Sequence, residues 1–105
     1  MYQEAVLLRI FLGENDTYRG KPLYRYIVEF CKEKGVAGAT VFKGVLGYGR
    51  SSVLHGSSIL RLSSDLPIVV EIIDSEEKIV QVLPHIKGML KGGIITLEKV
   101  KVIVL

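Results

Sequence analysis

Cysteine is nearly absent from this sequence: Cys31 is the single cysteine in 105 residues. One thiol cannot close an intramolecular disulfide, and it cannot supply the paired thiolates of a structural zinc site. Because disulfides are typical of oxidising compartments, a chain without them is expected in the cytoplasm. Cys31 also lies on the apolar stripe of a predicted helix with no histidine beside it, which indicates a core residue and not an activated nucleophile.

Long apolar runs are missing too. The first apolar segment begins at Ala5, is interrupted by Arg9 and ends at Leu12, so it is far shorter than the roughly 20 residues that cross a bilayer. Glu4 places an acid where a secretory signal would carry basic residues. We therefore expect neither export nor a membrane span.

The chain has only a small excess of charge. Lys and Arg number 14 and Asp and Glu number 11, which gives a net charge of +3 and a pI of about 9.1. This excess suits an anionic ligand or partner, but it is far below that of a protein that packages nucleic acid. The predicted strands also lack the aromatic pattern of a base-stacking sheet. We therefore predict no nucleic-acid partner.

Apolar periodicity predicts one α+β domain over residues 1–105. The elements follow in the order β-α-β-β-α-β. An antiparallel sheet with two crossover helices on one face satisfies that order, and this arrangement is the ferredoxin-like sandwich. The predicted strands cover residues 5–12, 39–46, 68–73 and 94–105, with a further short strand at 58–62.

Both predicted helices have marked ends. The first is expected to begin near Pro22 and to stop at Gly35. In the second, Asp74 has the position of an N-cap, Pro84 is expected to kink or divide the helix, and Gly92-Gly93 to end it. The apolar stripes that should pack on the sheet are Leu23, Ile27, Phe30 and Cys31 in the first helix and Ile79, Leu83, Ile86 and Leu90 in the second.

Alternation along the strands divides the predicted sheet into two faces. A second face that mixes apolar groups with charges able to pair is uncommon on a monomer, so it predicts a homo-oligomer of closed symmetry. The expected helix-facing sets are Val6-Leu8-Ile10-Leu12, Ile68-Val70-Ile72 and Val100-Val102-Val104. The expected opposite sets are Leu7-Arg9-Phe11, Val69-Glu71-Ile73 and Lys101-Ile103-Leu105.

Acidic residues are missing from one stretch, since none occurs between Glu33 and Asp65. That stretch holds a glycine- and serine-rich loop, from Gly47 to Ser58, which we predict to be long and mobile. Converging glycine amides and an arginine fork suit a phosphorylated ligand or an acidic partner. A solvated hairpin tip explains the same composition, so both interpretations stand. The basic residues of the stretch are Lys34, Lys43, Arg50 and Arg61.

A second glycine pair follows the second helix, at Lys91-Gly92-Gly93. Its backbone amides and ammonium group could meet an anion, but a helix C-cap with lysine near the negative end of the dipole explains the same residues. Neither glycine-rich segment has the spacing of a phosphate loop or of a dinucleotide-binding fingerprint. Any nucleotide site here must use another geometry.

Several segments resemble known families. Gly47-Tyr48-Gly49-Arg50 is similar to the start of the long T-loop in PII nitrogen-signalling proteins, and residues 66–74 are similar to the segment that re-enters their sheet. A closer, end-to-end resemblance is to the PII-like domain of unknown function 190 family. It rests on Leu8-Arg9-Ile10-Phe11, Gly13-Glu14, Gly20-Lys21-Pro22-Leu23-Tyr24, Ala37-Gly38-Ala39-Thr40-Val41 and Ser58-Ile59-Leu60-Arg61-Leu62.

The resemblance implies a PII-like regulatory trimer whose sheets face inward. It also implies small effectors bound between subunits, in PII commonly adenine nucleotides, and a target protein engaged through the loop from Gly47 to Ser58. Because members of the family look like partners of fluoride channels, a membrane channel or transporter is an implied target. The implied ligand-binding residues are Gly47, Gly49, Arg50, Lys91, Gly92 and Gly93. The implied partner-contacting residues are Tyr48, Ser51, Ser52, His55 and Arg61.

The residues themselves predict neither catalysis nor metal binding. An enzyme needs a nucleophile with its base, or two carboxylates in one pocket, whereas the acids here fall at turns, on a helix face and at a cap. His55 and His85 lack a spaced third ligand, so no metal is expected. Tyr48 fits an interface aromatic and also a platform for a stacked base. The alternative function is a ligand-free structural adaptor, for example an accessory to a membrane fluoride channel.

Overall fold

The computed structural model describes residues 2–48 and 65–105. Its main sheet has four antiparallel strands in the order β4-β5-β1-β6, and β2 pairs with β3 in a separate short ribbon. The elements are β1 Tyr2–Gly13, β2 Thr17–Tyr18, β3 Lys21–Pro22, α1 Leu23–Glu33, β4 Gly38–Lys43, β5 Pro67–Asp74, α2 Glu76–Met89 and β6 Ile94–Ile103. The predicted strand at 58–62 and nearly all of the predicted loop lie outside the described residues.

This topology confirms the predicted α+β, ferredoxin-like fold. Strands β1 and β5 lie at the centre of the sheet, and each helix crosses from one strand to another that is not its immediate neighbour. The ribbon of β2 and β3 was not predicted. Its two-residue turn at Arg19-Gly20 has φ values of 51° and 81°, which suits a tight hairpin.

Strand β4 ends three residues earlier than predicted. Its partner β5 begins at Pro67, opposite Gly44, so the chain past Gly44 has no strand to pair with. The last backbone bond of this pair runs from Gly44 N to Pro67 O at 2.7 Å. Val45 and Leu46 follow it as exposed apolar residues.

The first helix has the predicted ends, but the second differs in its N-cap, in its continuity through Pro84 and in its end, which falls at Met89 before Gly92-Gly93. Helix α1 follows Pro22 and is succeeded by Gly35 at φ +77°. The N-cap of α2 is Ser75 and not Asp74, because the Ser75 hydroxyl accepts the bond from Lys78 N at 3.2 Å. The carboxylate of Asp74 instead accepts from Ala37 N at 2.9 Å, so it ties the start of β4 to the start of α2.

Helix α2 continues through Pro84 to Met89, so the predicted division of the helix does not occur. Val82 and Ile86 on either side of Pro84 are both buried, and this packing holds the two halves on the sheet. Two members of the predicted stripe, Leu83 and Leu90, are only partly buried, while the rest of the stripe is in the core. The buried residues of α2 are Ile79, Val82, Ile86 and Met89.

The predicted core of the two central strands is confirmed, and so is that of α1 except for Phe30, which is only partly buried. Residues that share the helix-facing side of the sheet are buried together with the inner faces of both helices, in one cluster. From β1 the cluster includes Val6, Leu8, Ile10 and Leu12, from β5 Ile68, Val70 and Ile72, and from α1 Leu23, Ile27 and Cys31.

The faces predicted for the last strand are reversed. Leu8 lies opposite Leu97 and Ile10 opposite Ile95, and directly opposed residues of an antiparallel pair point to the same face. The helix-facing side of β6 therefore carries Ile95, Leu97, Lys99, Lys101 and Ile103. Val100 and Val102 lie on the other face, and Val104 and Leu105 follow the end of the strand. The prediction failed because aliphatic residues occupy both faces of β6.

Gly93 at the start of β6 is required by its backbone. Its φ is +99°, and a Cβ at this position would lie 2.6 Å from the carbonyl oxygen of Phe11. We expect Gly93→Ala to lower the free energy of unfolding by roughly 1–3 kcal/mol, because strain at positive φ adds to this clash. The measurement is urea unfolding at a fixed protein concentration.

The matched control is Gly88→Ala. Gly88 lies inside α2, and a Cβ there would meet nothing within 4 Å. Because glycine in a helix is less favourable than alanine, this variant should be more stable by up to about 1 kcal/mol. Equal effects of the two substitutions would contradict the assigned backbone at Gly93.

Candidate functional site

Four chain segments meet at one end of the main sheet, which we call the loop end. They are the turn at 13–17 after β1, residues 44–48 after β4, residues 65–66 before β5 and residues 90–93 before β6. The strand register puts them together, since Phe42, Val69, Phe11 and Ile94 form one row across the four strands just inside this end. The loop end holds every ligand residue predicted within the described part of the chain.

A pocket of about 450 Å³ opens at the loop end. It combines a lysine ammonium, a carboxylate, a hydroxyl and an amide with two apolar side chains, so it offers charged, polar and apolar contacts to a small ligand. Its lining residues are Asn15, Asp16, Thr17, Leu23, Met89, Lys91 and Gly92. Two predicted ligand residues, Lys91 and Gly92, are therefore brought to a pocket.

The polar side of the pocket comes from the turn at 13–17. Asp16 N donates to Gly13 O at 3.2 Å, and the Asp16 carboxylate accepts from Gly13 N at 3.0 Å. Asp16 O in turn accepts from Leu23 N at 2.8 Å, which joins the turn to the start of α1. Aspartate commonly closes turns by bonding to nearby backbone, and here that bonding fixes the three lining residues of the turn.

The other side of the same turn contacts the residues from which the chain leaves β4 and enters β5. Glu14 accepts from Lys43 Nζ at 2.7 Å, and this hydrogen bond lowers the pKa of the Glu14 carboxyl. Glu14 N donates to Leu66 O at 2.9 Å, and Asn15 N donates to Asp65 Oδ1 at 3.2 Å. The turn is therefore held between the pocket and these two chain segments.

The remaining predicted site residues divide into two groups. Gly47 lies beside β5, where a Cβ would be 3.2 Å from Pro67 Cγ, and Tyr48 is 84% exposed. Neither is among the described residues that line the pocket. Gly93 lies against Phe11 of β1. Six predicted residues lie outside the described part of the chain: Gly49, Arg50, Ser51, Ser52, His55 and Arg61.

The glycine pair after α2 does not cap that helix. The capping residue is Leu90, in an extended conformation, with its N–H donating to Lys87 O at 3.2 Å. The helix has thus ended before Lys91, and Gly92 is free to face the pocket while Gly93 serves the turn into β6. The C-cap explanation of this pair was wrong.

The sheet face away from the helices, which we call the open face, is apolar around one cluster of charges. At its centre Arg9 donates to Glu71 and to Glu98, each at 2.8 Å. The hydrogen bond to Glu71, and to a lesser extent the one to Glu98, raises the pKa of the Arg9 guanidinium above its ordinary value. Apolar residues from all four strands surround the cluster: Leu7, Phe11, Phe42, Val69, Ile73, Ile94, Val100 and Val102.

Two further findings concern metal binding and membrane crossing in the part of the chain that the structure describes. Within residues 2–48 and 65–105, no three His, Cys, Asp or Glu side chains are grouped so that they could hold a metal ion. No helix in these ranges has the length and apolar character needed to cross a membrane. Cys31 is fully buried, and this burial raises the pKa of its thiol to about 11.

Solved structures define the class of fold. A protein of Thermus thermophilus described as PII-like signalling has a TM-score of 0.66 at 22% identity, over 97% of this chain and 92% of that one. CPII, a nitrogen regulatory PII-like protein of Thiomonas intermedia K12 solved with ADP, AMP and acetate, has a TM-score of 0.65 at 16% identity, over 97% of this chain and 91% of that one. The fold is therefore PII-like.

Sequence relatives define the family. The family model DUF190 (Uncharacterized ACR, COG1993) matches residues 5–102. A UPF0166 protein of Aquifex aeolicus (strain VF5) is 50% identical over 99 residues, which are 94% of this chain and 93% of that protein. A UPF0166 protein of Methanocaldococcus jannaschii is 40% identical over 90 residues, 86% of this chain and 82% of that protein. The chain belongs to the DUF190 family, which confirms the resemblance.

The position of Cys31 gives a prediction about its chemistry. At pH 7 a thiol-specific reagent should modify it at least about 100-fold more slowly in the folded protein than in denaturant, because the thiolate form is suppressed and the side chain is buried. The folded pKa of about 11 exceeds the ordinary 9.0. Titration of the thiol should therefore leave the free energy of unfolding unchanged with pH below 9 and should lower it as the pH rises from there to 11. Rapid modification of the folded protein would reject a core position.

Proposed function

We propose that this chain is a PII-like regulatory protein that binds a small anionic effector between the subunits of a homotrimer and engages a target through the loop from Gly47 to Ser58. The observation that carries the proposal is the pocket at the loop end, where Lys91 and Gly92 meet the polar turn after β1. A lysine ammonium and backbone N–H groups are suited to a phosphate or carboxylate.

An adenine nucleotide is the first candidate effector. The support is indirect: CPII, which shares the fold, was solved with ADP and AMP. In the present chain Gly47 is beside β5 and does not line the pocket that contains Lys91. We therefore assign a binding site that uses both segments to the junction between two subunits. The proposed ligand residues are Gly47, Gly49, Arg50, Lys91, Gly92 and Gly93.

The open face supports assembly. Phe11 is 38% exposed in the row of this face nearest the loop end, and the apolar residues around Arg9 extend across all four strands. A contiguous apolar surface of this kind marks an interface more often than a free surface. We assign it to contacts between copies of the chain, with three copies as in the trimer that the family resemblance implies.

The target is proposed to be a protein, with a membrane channel or transporter as the first class. Val45, Leu46 and Tyr48 lead into the loop as exposed apolar residues, and exposed aromatics are favoured in protein contacts. The loop residues proposed to contact the target are Tyr48, Ser51, Ser52, His55 and Arg61. The proposal includes no catalytic step and no nucleic-acid partner. It places the protein in the cytoplasm.

The alternative function is a ligand-free adaptor that joins other proteins through the same loop and open face. The observation in its favour is Asp16, whose carboxylate lines the same pocket as Lys91 and opposes the entry of a strongly anionic ligand. The two functions differ in one measurable property, which is whether the protein binds any small anion.

Calorimetric titration with AMP, ADP and ATP tests the effector. For the nucleotide that binds, Lys91→Met should raise Kd by roughly 10- to 100-fold, since a hydrogen bond to a charged group contributes about 1.5–3 kcal/mol. Lys99→Met, an equal change of charge on β6 away from the pocket, should leave Kd within about twofold.

Arg50→Ala tests the loop half of the site by the same titration. Binding that survives both Lys91→Met and Arg50→Ala unchanged would place the effector elsewhere and reject the proposed residues. Absence of binding by all three nucleotides would favour the adaptor.

Light scattering after gel filtration tests the assembly. The wild-type chain should elute with the mass of three copies, and Phe11→Asp should reduce it to one copy because it buries a charge in the open face. Val80→Asp, on the solvent side of α2 where Val80 is 62% exposed, should keep the wild-type mass. A trimer that tolerates Phe11→Asp would mean that another surface forms the interface.

A further inference from the structure

The turn at 13–17 contacts two parts of the loop end that are otherwise separate. We propose that this turn couples occupancy of the pocket to the positions of Lys43–Gly44 and Asp65–Leu66, which we call the loop stems, and that Glu14 is a positioning residue for the ligand although it does not line the pocket. The inference rests on the proposed function in one respect only, the identity of the ligand.

The turn behaves as one unit because its own bonds close it. Gly13 and Asp16 exchange two hydrogen bonds, from Asp16 N to Gly13 O and from Gly13 N to the Asp16 carboxylate. Leu23 N then donates to Asp16 O at 2.8 Å, and Leu23 is itself a buried lining residue of the pocket. A displacement of this turn therefore moves the polar and the apolar wall of the pocket together.

Both loop stems are attached to this unit. Lys43 Nζ lies 2.7 Å from the Glu14 carboxylate, and Glu14 retains only about a quarter of its side-chain exposure. On the other stem, Leu66 O and the Asp65 carboxylate accept from Glu14 N and Asn15 N. The contact is close as well as polar, since a Cβ on Gly13 would lie 3.0 Å from Asp65 Oδ1.

The stems are also attached to each other. Gly44 N donates to Pro67 O at 2.7 Å, and Pro67 lies opposite Gly13 in the sheet. The turn and the two stems thus form a closed set of contacts that adjoins the pocket. A displacement of either stem therefore reaches the pocket through this set of contacts.

Thermodynamic linkage makes the coupling reciprocal. If the ligand binds best when the stems hold the turn, then releasing a stem must lower the affinity for the ligand. The factor is the same as that by which the bound ligand favours the held stem over the released one. Lys43 and Glu14 are the residues to change, because neither lines the pocket and a direct contact with the ligand cannot account for the effect.

The first test measures Kd for AMP, ADP and ATP by calorimetry on the full chain. Lys43→Met should raise Kd at least about fivefold, the lower end of typical allosteric couplings. Lys43→Arg can still donate to Glu14, so its Kd should stay within about twofold of the wild-type value. The Kd of Glu14→Gln should lie between those of Lys43→Arg and Lys43→Met. The matched control is Lys78→Met. Lys78 lies in the first turn of α2, at the opposite end of the sheet, and its Nζ donates to Lys34 O at 3.1 Å.

A second test needs no ligand. Amide hydrogen exchange of the unliganded protein should accelerate at Asp16 and Leu23 in Lys43→Met and stay at the wild-type rate in Lys43→Arg and Lys78→Met. The coupling is overturned if Lys43→Met leaves the exchange rates at Asp16 and Leu23 unchanged, or if it leaves Kd unchanged. If none of the three nucleotides binds the wild-type chain, the proposed effector fails while hydrogen exchange still decides the coupling.

Discussion

The pairing of β1 with both of its neighbours is the constraint on which the rest of the structure depends. Because β1 lies between β5 and β6, its register fixes which residues of three strands share a face. Leu8 and Ile10 point to the helices, and they bring Ile72, Val70, Leu97 and Ile95 to the same side. Arg9, one residue away, must then point to the open face, where Glu71 and Glu98 lie within reach.

The same pairing decides what meets at the loop end. Where β1 stops, Gly13 lies opposite Pro67, so the turn after β1 arrives beside the entry to β5 and the exit from β4. On the other side, Phe11 lies opposite Ile94, and the backbone of Gly93 passes against Phe11 O. A pocket, two chain stems and the end of α2 are thus gathered around one short turn by the length of one strand.

Sequence patterns predicted most of this fold because local chemistry and tertiary packing agree. Alternation in β1 and β5, the stripe of α1, and the turn at Gly35 each have one favourable solution, and the structure adopts it. The family segments added the expectation of a trimer and of a nucleotide effector, which periodicity cannot supply and which stay predictions. Lys91 and Gly92 were singled out because glycines beside a lysine suit an anion, and both line a pocket, while their role as ligand residues stays a prediction.

The failures arise where two solutions have similar energies. Strand β6 has aliphatic residues on both faces, so only its pairing with β1 decides that Leu97 and not Val100 faces the helices. Asp74 and Ser75 can both cap α2, and Asp74 is instead engaged by Ala37 N from a distant segment. Asn15, Asp16 and Thr17 line the pocket but are not among the predicted site residues, because no local signal shows that this turn lies beside the end of α2.

The charges of the open face have a consequence for any surface that covers it. Two carboxylates share one guanidinium, so the cluster carries a net charge of −1, and burying an unbalanced charge is costly. The cluster is not uniform, however, since Glu71 is 30% exposed on a central strand and Glu98 is 57% exposed on the edge strand β6. A covering surface can therefore enclose Arg9 and Glu71 as an electrically neutral pair and leave the surplus charge of Glu98 at the rim, in water.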